Sequence, residues 1–283
     1  LSLLNFKANH RKVIIADSGG DMVTCVLSAN CHDASSAHSN VGISVTGDYW
    51  REIYQSEKAI AAWSGKQLHA PDIPGTNSGI SENTPELHIQ WLSEKAVKDR
   101  LLTLLHETGN GDSLSMAMFY LSDRDIIRSL LRAEKKGAGI RIILDPAKDA
   151  FGYEKNGIPN RQAAGELIRK SHGGIEVRWY NTHGEQFHSK LTYIRKKDGI
   201  SYLMTGSANL TRRNLCNFNL ECDGLVRGDS STGCMENVNA YFNRIWENKE
   251  GNKYTLDYSL YEDTSRINVL KYFIYEYAGL STF

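Results

Sequence analysis

The apolar and polar positions divide the chain into two stretches of short strands and helices. In the first, Lys12–Ala16 and Met22–Ser28 are rich in Val, Ile and Met and predict two strands. Ser18-Gly19-Gly20-Asp21 between them predicts a hairpin-like turn. Cys31–Ser39 is polar and reads as a loop, and Val41–Thr46 predicts a third strand. Asp48 stands where an N-cap is expected for a helix over Tyr49–Ser64. Tyr49, Trp50, Ile53, Tyr54 and Ile60 form the apolar face of that helix, and Gly65 closes it.

The second stretch begins with a strand over Leu87–Leu92, then Ser93 as the cap of a helix over Glu94–Thr108. From Ser113 the pattern alternates. Strands are predicted at Ser113–Leu121, Ile140–Asp145, Ile175–Tyr180 and Phe187–Ile194, with helices at Asp123–Lys136 and Arg161–Ser171. Strands at Ser201–Thr205 and Asn219–Val226 follow, then helices at Met235–Asn248 and Arg266–Tyr277. This alternation implies an α/β protein with a mostly parallel sheet covered on both faces. Ligands of such sheets lie beyond the carboxyl ends of the strands, which marks Tyr120 and Asp145 as candidate substrate-binding residues.

Between the two stretches, 67–85 holds Pro71, Pro74, Gly75, Gly79 and Pro85 with few aliphatics. It reads as a linker or an ordered loop beside the active site. The expected organisation is therefore a first unit at 1–66, this connection, a second unit at 86–250, and a tyrosine-rich C-terminal extension at 251–283.

Composition narrows the function. Hydrophobic residues at 41% and charged residues at 23% are ordinary for a globular chain. With 33 basic and 33 acidic residues there is no basic excess of the kind that marks non-specific nucleic-acid binding. The five cysteines cannot all pair within the chain, and the reading preferred is five reduced thiols, although Cys31 and Cys216 would approach each other if the motifs below meet. Cys25, Cys31, His32, Asp33 and His38 are metal-ligand types without the paired spacing of structural zinc sites, so no metal or other cofactor is expected. No apolar run approaches the ~18 residues of a membrane span, and no signal peptide is visible.

The chemistry-bearing residues occur twice. His10 and Lys12 recur 178 residues later as His188 and Lys190, and Ser28 and Asn30 recur 179 residues later as Ser207 and Asn209. Four matched positions with one inserted residue make an internal repeat. A His and a Lys two apart on a strand point to one face. Together with a serine hydroxyl and an asparagine amide they suit a phosphate: a nucleophile or proton carrier, a fixed cation and two neutral donors.

These residues resemble the phospholipase D superfamily, whose mark is two copies of HxKxxxxD followed by GSxN. The first copy has His10, Lys12 and Asp17, then Leu27-Ser28-Ala29-Asn30 with Leu27 in place of the usual Gly; the second has Gly206-Ser207-Ala208-Asn209, with Arg195 where the Asp should stand. Glu221 fits the acid that orients a histidine, and its counterpart at the same offset is Gly42. The resemblance implies two α/β halves meeting at one active site, a phosphohistidine intermediate and no cofactor. It implies His10, His188, Lys12, Lys190, Asn30, Asn209 and Glu221 as catalytic groups, with Ser28 and Ser207 holding the turn or the phosphate. Family habit makes His10 the nucleophile and His188 the acid, and Glu221 leaves the reverse open. Asp17 would hold the strand turn.

Arg212 and Arg213 would suit a second phosphate or an anionic membrane surface. The resemblance implies a phospholipid substrate, by hydrolysis or by phosphatidyl transfer as in cardiolipin synthases. It leaves nuclease activity or a weakly active phosphodiester-binding scaffold as alternatives. The second copy has 75 residues of strands and helices before its HxK motif, whereas nine precede His10. The first half is therefore expected to be truncated. A missing front part could carry a signal or membrane anchor, leaving localisation open between membrane-associated and extracytoplasmic.

Overall fold

The computed structural model describes residues 8–70, 87–150, 153–154 and 156–278. The proline-rich segment from Pro71 to Pro85 lies outside the described residues. The first half consists of β1 (Ala8–Asn9), β2 (Val13–Ser18), β3 (Asp21–Leu27), the single turn α1 (Asp33–Ser36), β4 (Gly42–Thr46) and α2 (Trp50–Trp63). β2, β3 and β4 form an antiparallel sheet. Gly19 and Gly20 both lie at positive φ, +66° and +97°, as a two-residue hairpin between right-twisted strands requires. Asp48 does not cap α2: the capping position is Tyr49, and the Asp48 carboxylate accepts from Arg51 Nε instead.

The second half runs β5 (His88–Ser93), α3 (Lys95–Glu107), β6 (Ser113–Met118), α4 (Arg124–Lys135), β7 (Gly139–Leu144), the short β8 (Asp149–Ala150) and β9 (Tyr153–Glu154), α5 (Asn160–Lys170) and β10 (Ile175–Tyr180). It continues with β11 (Lys190–Arg195), β12 (Ile200–Gly206), α6 (Arg212–Leu215), β13 (Asn219–Leu220), β14 (Cys222–Asp229), α7 (Gly233–Trp246), β15 (Thr255–Asp257) and α8 (Arg266–Ala278). The expected α/β class is what the chain adopts. Its eight-stranded sheet has the order β15-β10-β7-β6-β11-β12-β14-β5. Parallel pairing is confined there to β10–β7–β6, where helices make the crossovers; β6–β11, β11–β12, β12–β14 and β14–β5 pair antiparallel, with β11 and β12 joined by a tight hairpin.

One face of this sheet is covered by α3, α4 and α5, with Leu101, Leu105, Ile126, Ile127, Leu130 and Leu167 fully buried. The other packs Phe187, Tyr193 and Val226 against Met235, Phe242 and Ile245 of α7. α4 starts at Asp123, whose carboxylate accepts from the Asp125 and Ile126 N–H groups. Ser93 ends β5 rather than capping α3; Glu94 takes that position at φ +50°.

The halves repeat one another as strand, strand, strand, helix: β2, β3, β4 and α2 against β11, β12, β14 and α7. They are joined through apolar contact of Val26, Val45 and Ile53 with Trp91 and Cys222. They also share a parallel pairing in which Ala8 and Asn9 lie beside Asn219 and Leu220. On α8, Ile267, Leu270, Ile274 and Tyr277 are exposed, while Tyr272 and Glu276 are buried against the body. Among the described residues no helix is long and apolar enough to cross a membrane.

Candidate active site

The two histidines sit where the chain enters its repeated hairpins, and each is held by the other half. β1 pairs with β13, and the His10 N–H donates to the Leu220 carbonyl at 2.9 Å. This brings His10 Nδ1 to 2.9 Å from Glu221 Oε2 and 3.0 Å from Oε1. Glu221 is fully buried, and its carboxylate also accepts from Ser207 Oγ and Asn214 Nδ2. The Asn219–Val226 strand is broken at Glu221, which turns that side chain across the interface.

His188 precedes β11 rather than lying within it. Its neighbours are fixed from elsewhere: Gln186 O accepts from Ser39 N–H, Phe187 N–H donates to Asp145 Oδ2 at 2.7 Å, and Ser189 O accepts from Phe119 N–H. His188 Nδ1 lies 3.1 Å from Asn40 Oδ1. Asn40 Nδ2 donates to the Ser35 and His38 carbonyls, which orients the amide and leaves Oδ1 toward the imidazole. Ser28 Oγ donates to Asn40 Oδ1 and accepts from Val41 N–H, as Ser207 Oγ donates to Glu221 and accepts from Cys222 N–H.

Asn40 is therefore the structural counterpart of Glu221, at an offset of 181. The first copy does lack an acid, but its equivalent is Asn40 and not Gly42. The loop after Asn30 is two residues shorter than the loop after Asn209, so a fixed offset overshoots. The same correction explains Leu27. In the second copy Gly206 faces Asp223 across the ladder; in the first, Leu27 faces Gly42. The glycine has moved to the opposite strand. A Cβ on Gly206 would lie 2.4 Å from the Cys222 carbonyl, and one on Gly42 would lie 2.4 Å from Leu27 Cδ2. We expect Gly206→Ala to lower stability by about 1–3 kcal/mol, as overpacking does, measured by urea unfolding.

Both lysines are buried and bond back to their own motif: Lys12 Nζ to the His10 carbonyl, and Lys190 Nζ to the His188 carbonyl at 3.1 Å. Burial lowers Lys12 to about 8, although Glu221 opposes the shift. Burial, and then the charge of Lys12, holds Lys190 well below the usual lysine range. His188 is pushed far down by burial, then by Lys190, Lys12 and His10. Both lysines and His10 thus lie close enough for their charges to act on His188. Asp223, buried and accepting from Ala208 N–H, is raised to about 7, chiefly by burial.

Asn209 is buried, and its amide oxygen has no hydrogen-bond partner among the described residues; Asn30 is half-buried. Phe119 meets the His188 ring edge-on at 4.8 Å and lies 5.0 Å from Lys190 Nζ, a contact that the strand pattern alone does not separate from core packing. Tyr120 is buried beside Phe119, with its hydroxyl held above the usual tyrosine range by burial and then by Asp145. Asp145 accepts from Ala147 N–H and Phe187 N–H, so it anchors the segment that carries His188. Asp17 accepts from Gly20 N–H in the β2–β3 turn.

Arg212 is not brought to the histidines. Its N–H donates to Glu276 and its guanidinium to the Tyr277 carbonyl, in a cavity with Lys98, Asp123 and Cys216. All five cysteines are free thiols, and Cys216 lies against Lys98. Among the described residues no group of three or more His, Cys, Asp or Glu side chains is arranged to hold a metal ion.

Residues 101–246 match the family described as cardiolipin synthase, PLD-like domain, and the chain belongs to this phospholipase D-like family. The matched span contains His188, Lys190, Asn209 and Glu221. Among solved structures, the chain is similar to phosphatidylserine synthase of Haemophilus influenzae Rd KW20, at 13% identity and a TM-score of 0.63, covering 97% of this chain and 69% of that one. It is also similar to polyphosphate kinase of Porphyromonas gingivalis, at 15% identity and a TM-score of 0.53, covering 94% of this chain and 38% of that one. At these identities the likeness shows the fold. No curated protein matches the chain.

Proposed function

We propose that the chain cleaves phosphodiesters through a covalent phosphohistidine and that its substrates are phospholipids. The observation that carries this reading is the crossed pair His10–Glu221 and His188–Asn40, flanked by Lys12 and Lys190. His10 Nε2 attacks phosphorus, and the bond from phosphorus to the leaving alcohol oxygen breaks. Protonated His188 gives its proton to that oxygen. Neutral His188 then takes a proton from water, whose oxygen attacks phosphorus as the P–N bond breaks. A second alcohol in place of water gives transfer. Lys12, Lys190, Asn30 and Asn209 hold the non-bridging oxygens.

Electrostatics supports His10 as the nucleophile. Once phosphorylated, with Nδ1–H retained, its ring is cationic, and the Glu221 carboxylate stabilises that state. His188 faces a neutral amide in a buried, cationic setting, so its imidazolium is a strong acid. An incoming phosphodiester anion offsets the neighbouring lysines and promotes its protonation.

Phosphatidylserine synthase, one of the structural neighbours, makes a phospholipid by name, and the balanced charge of this chain favours a lipid over a polyanion. Head-group release from mixed phospholipid vesicles in EDTA, with His188→Ala as control, tests the reading. Release that the mutation abolishes supports it; release from DNA or RNA alone would assign a nuclease, and no turnover of any of these would favour a scaffold.

The pH profile follows from Lys12. Its ammonium is present below about 8 and lost above it. We expect kcat/KM to fall about tenfold per pH unit above pH 8 as the free enzyme loses that proton. A flat profile from pH 7 to 10 would contradict this role for Lys12.

A further inference from the structure

Beside the His10–Glu221 pair lies a cavity of about 490 Å³, within the roughly 300–1,000 Å³ of small-molecule sites. Its walls include Asn9 and Leu220, the residues directly before His10 and Glu221. Ile60, Trp63 and Phe218 make the rest of it largely apolar. Asn219 also lines it, and three features there point to a ligand. The Asn219 side chain is 7% exposed, and its Oδ1 has no hydrogen-bond partner among the described residues. A buried acceptor of this kind calls for a donor. Asn219 stands two residues from Glu221, as its ladder partner Ala8 does from His10, so the paired strands that line the cavity lead directly into the His10–Glu221 pair.

The third feature is Glu94, which also lines the cavity. It is held at φ +50°, where non-glycine residues are strained, by its N–H bond to the Glu221 carbonyl and by its carboxylate on Arg11. The cavity wall and the support of His10 are thus one connected structure.

We propose that this cavity holds the organic group that stays on phosphorus during the reaction, and that this group is a single apolar chain bearing a hydroxyl, the chemistry of a monoacyl glycerophosphodiester. The inference rests on the phosphohistidine reading above. With the phosphoryl group on His10, the retained group stays on the His10 side while the leaving alcohol departs toward His188. Ile60, Trp63, Phe218 and Leu220 take the chain, and the glycerol hydroxyl donates to Asn219 Oδ1. A diacyl substrate lacks that donor.

The test uses soluble monoacyl glycerophosphocholines with chains of four to ten carbons, a dihexanoyl analogue, and bis(p-nitrophenyl) phosphate as a chainless phosphodiester. Each added CH₂ is expected to raise kcat/KM up to about fourfold until the cavity is filled. Trp63→Ala, at an exposed helix end, flattens that slope. Asn219→Leu lowers kcat/KM for the monoacyl series at least tenfold more than for the dihexanoyl analogue. Turnover of the chainless substrate with no dependence on chain length overturns the cavity assignment and leaves the phosphohistidine reading intact. Preference for the diacyl analogue overturns the single-chain assignment. Absence of turnover on every substrate overturns both.

Discussion

His188→Ala is expected to lower kcat on a phosphodiester with an ordinary alcohol leaving group by about 10²–10⁴, the usual contribution of a positioned proton donor. The same variant should still react with a p-nitrophenyl ester, because nitrophenolate leaves without a proton. The product burst should approach one equivalent and then stall, since the base that activates water is gone. His10→Ala should show no burst on either substrate and lose at least about 10⁴ in kcat. This contrast separates the roles of two residues that are nearly symmetric in sequence. The structural basis is the pair of second partners. Glu221 places a full negative charge on His10 Nδ1, whereas Asn40 places only an amide oxygen on His188 Nδ1. A burst in His10→Ala and none in His188→Ala would reverse the assignment.

The second large effect is expected at those partners themselves. Glu221→Gln retains the size of the side chain but removes the charge, and its amide can donate to Nδ1 and impose the wrong tautomer on His10. A loss of about 10³–10⁴ in kcat/KM is expected, the scale seen when a triad carboxylate becomes an amide. Asn40→Asp acts in the other direction. It sets a carboxylate against His188 and should raise that ring's titration by about one to three pH units, readable by NMR. Equal effects of the two substitutions on activity would mean that the His10 and His188 sites are interchangeable, against the asymmetry of Glu221 and Asn40.

Much of this was legible in the sequence because the repeat carries its chemistry at nearly constant spacing. Strand runs such as Ile175–Tyr180, and the Gly19-Gly20 hairpin, follow from β-branched residues and from a turn that needs positive φ. Asn40 was hidden because a two-residue difference in an irregular loop leaves no periodic signal, and only the Ser28–Val41 bonding restores the alignment. Parallel pairing was overestimated because alternation of apolar runs does not distinguish a crossover helix from the hairpin that joins β11 to β12. The partners of Arg212 were hidden for a tertiary reason: α8, distant in sequence, supplies the Glu276 and Tyr277 acceptors. The role of Phe119 was not legible because a buried aromatic at a strand end looks the same in sequence whether it meets core or imidazole.

The most direct test of the proposed mechanism is acid-quenched peptide mapping of the His188→Ala protein after reaction with a p-nitrophenyl phosphodiester. A phosphoryl adduct of about one equivalent on His10 is the expected result. Turnover by the unmutated protein with no trappable adduct on His10, or an adduct on any other residue, would contradict the mechanism.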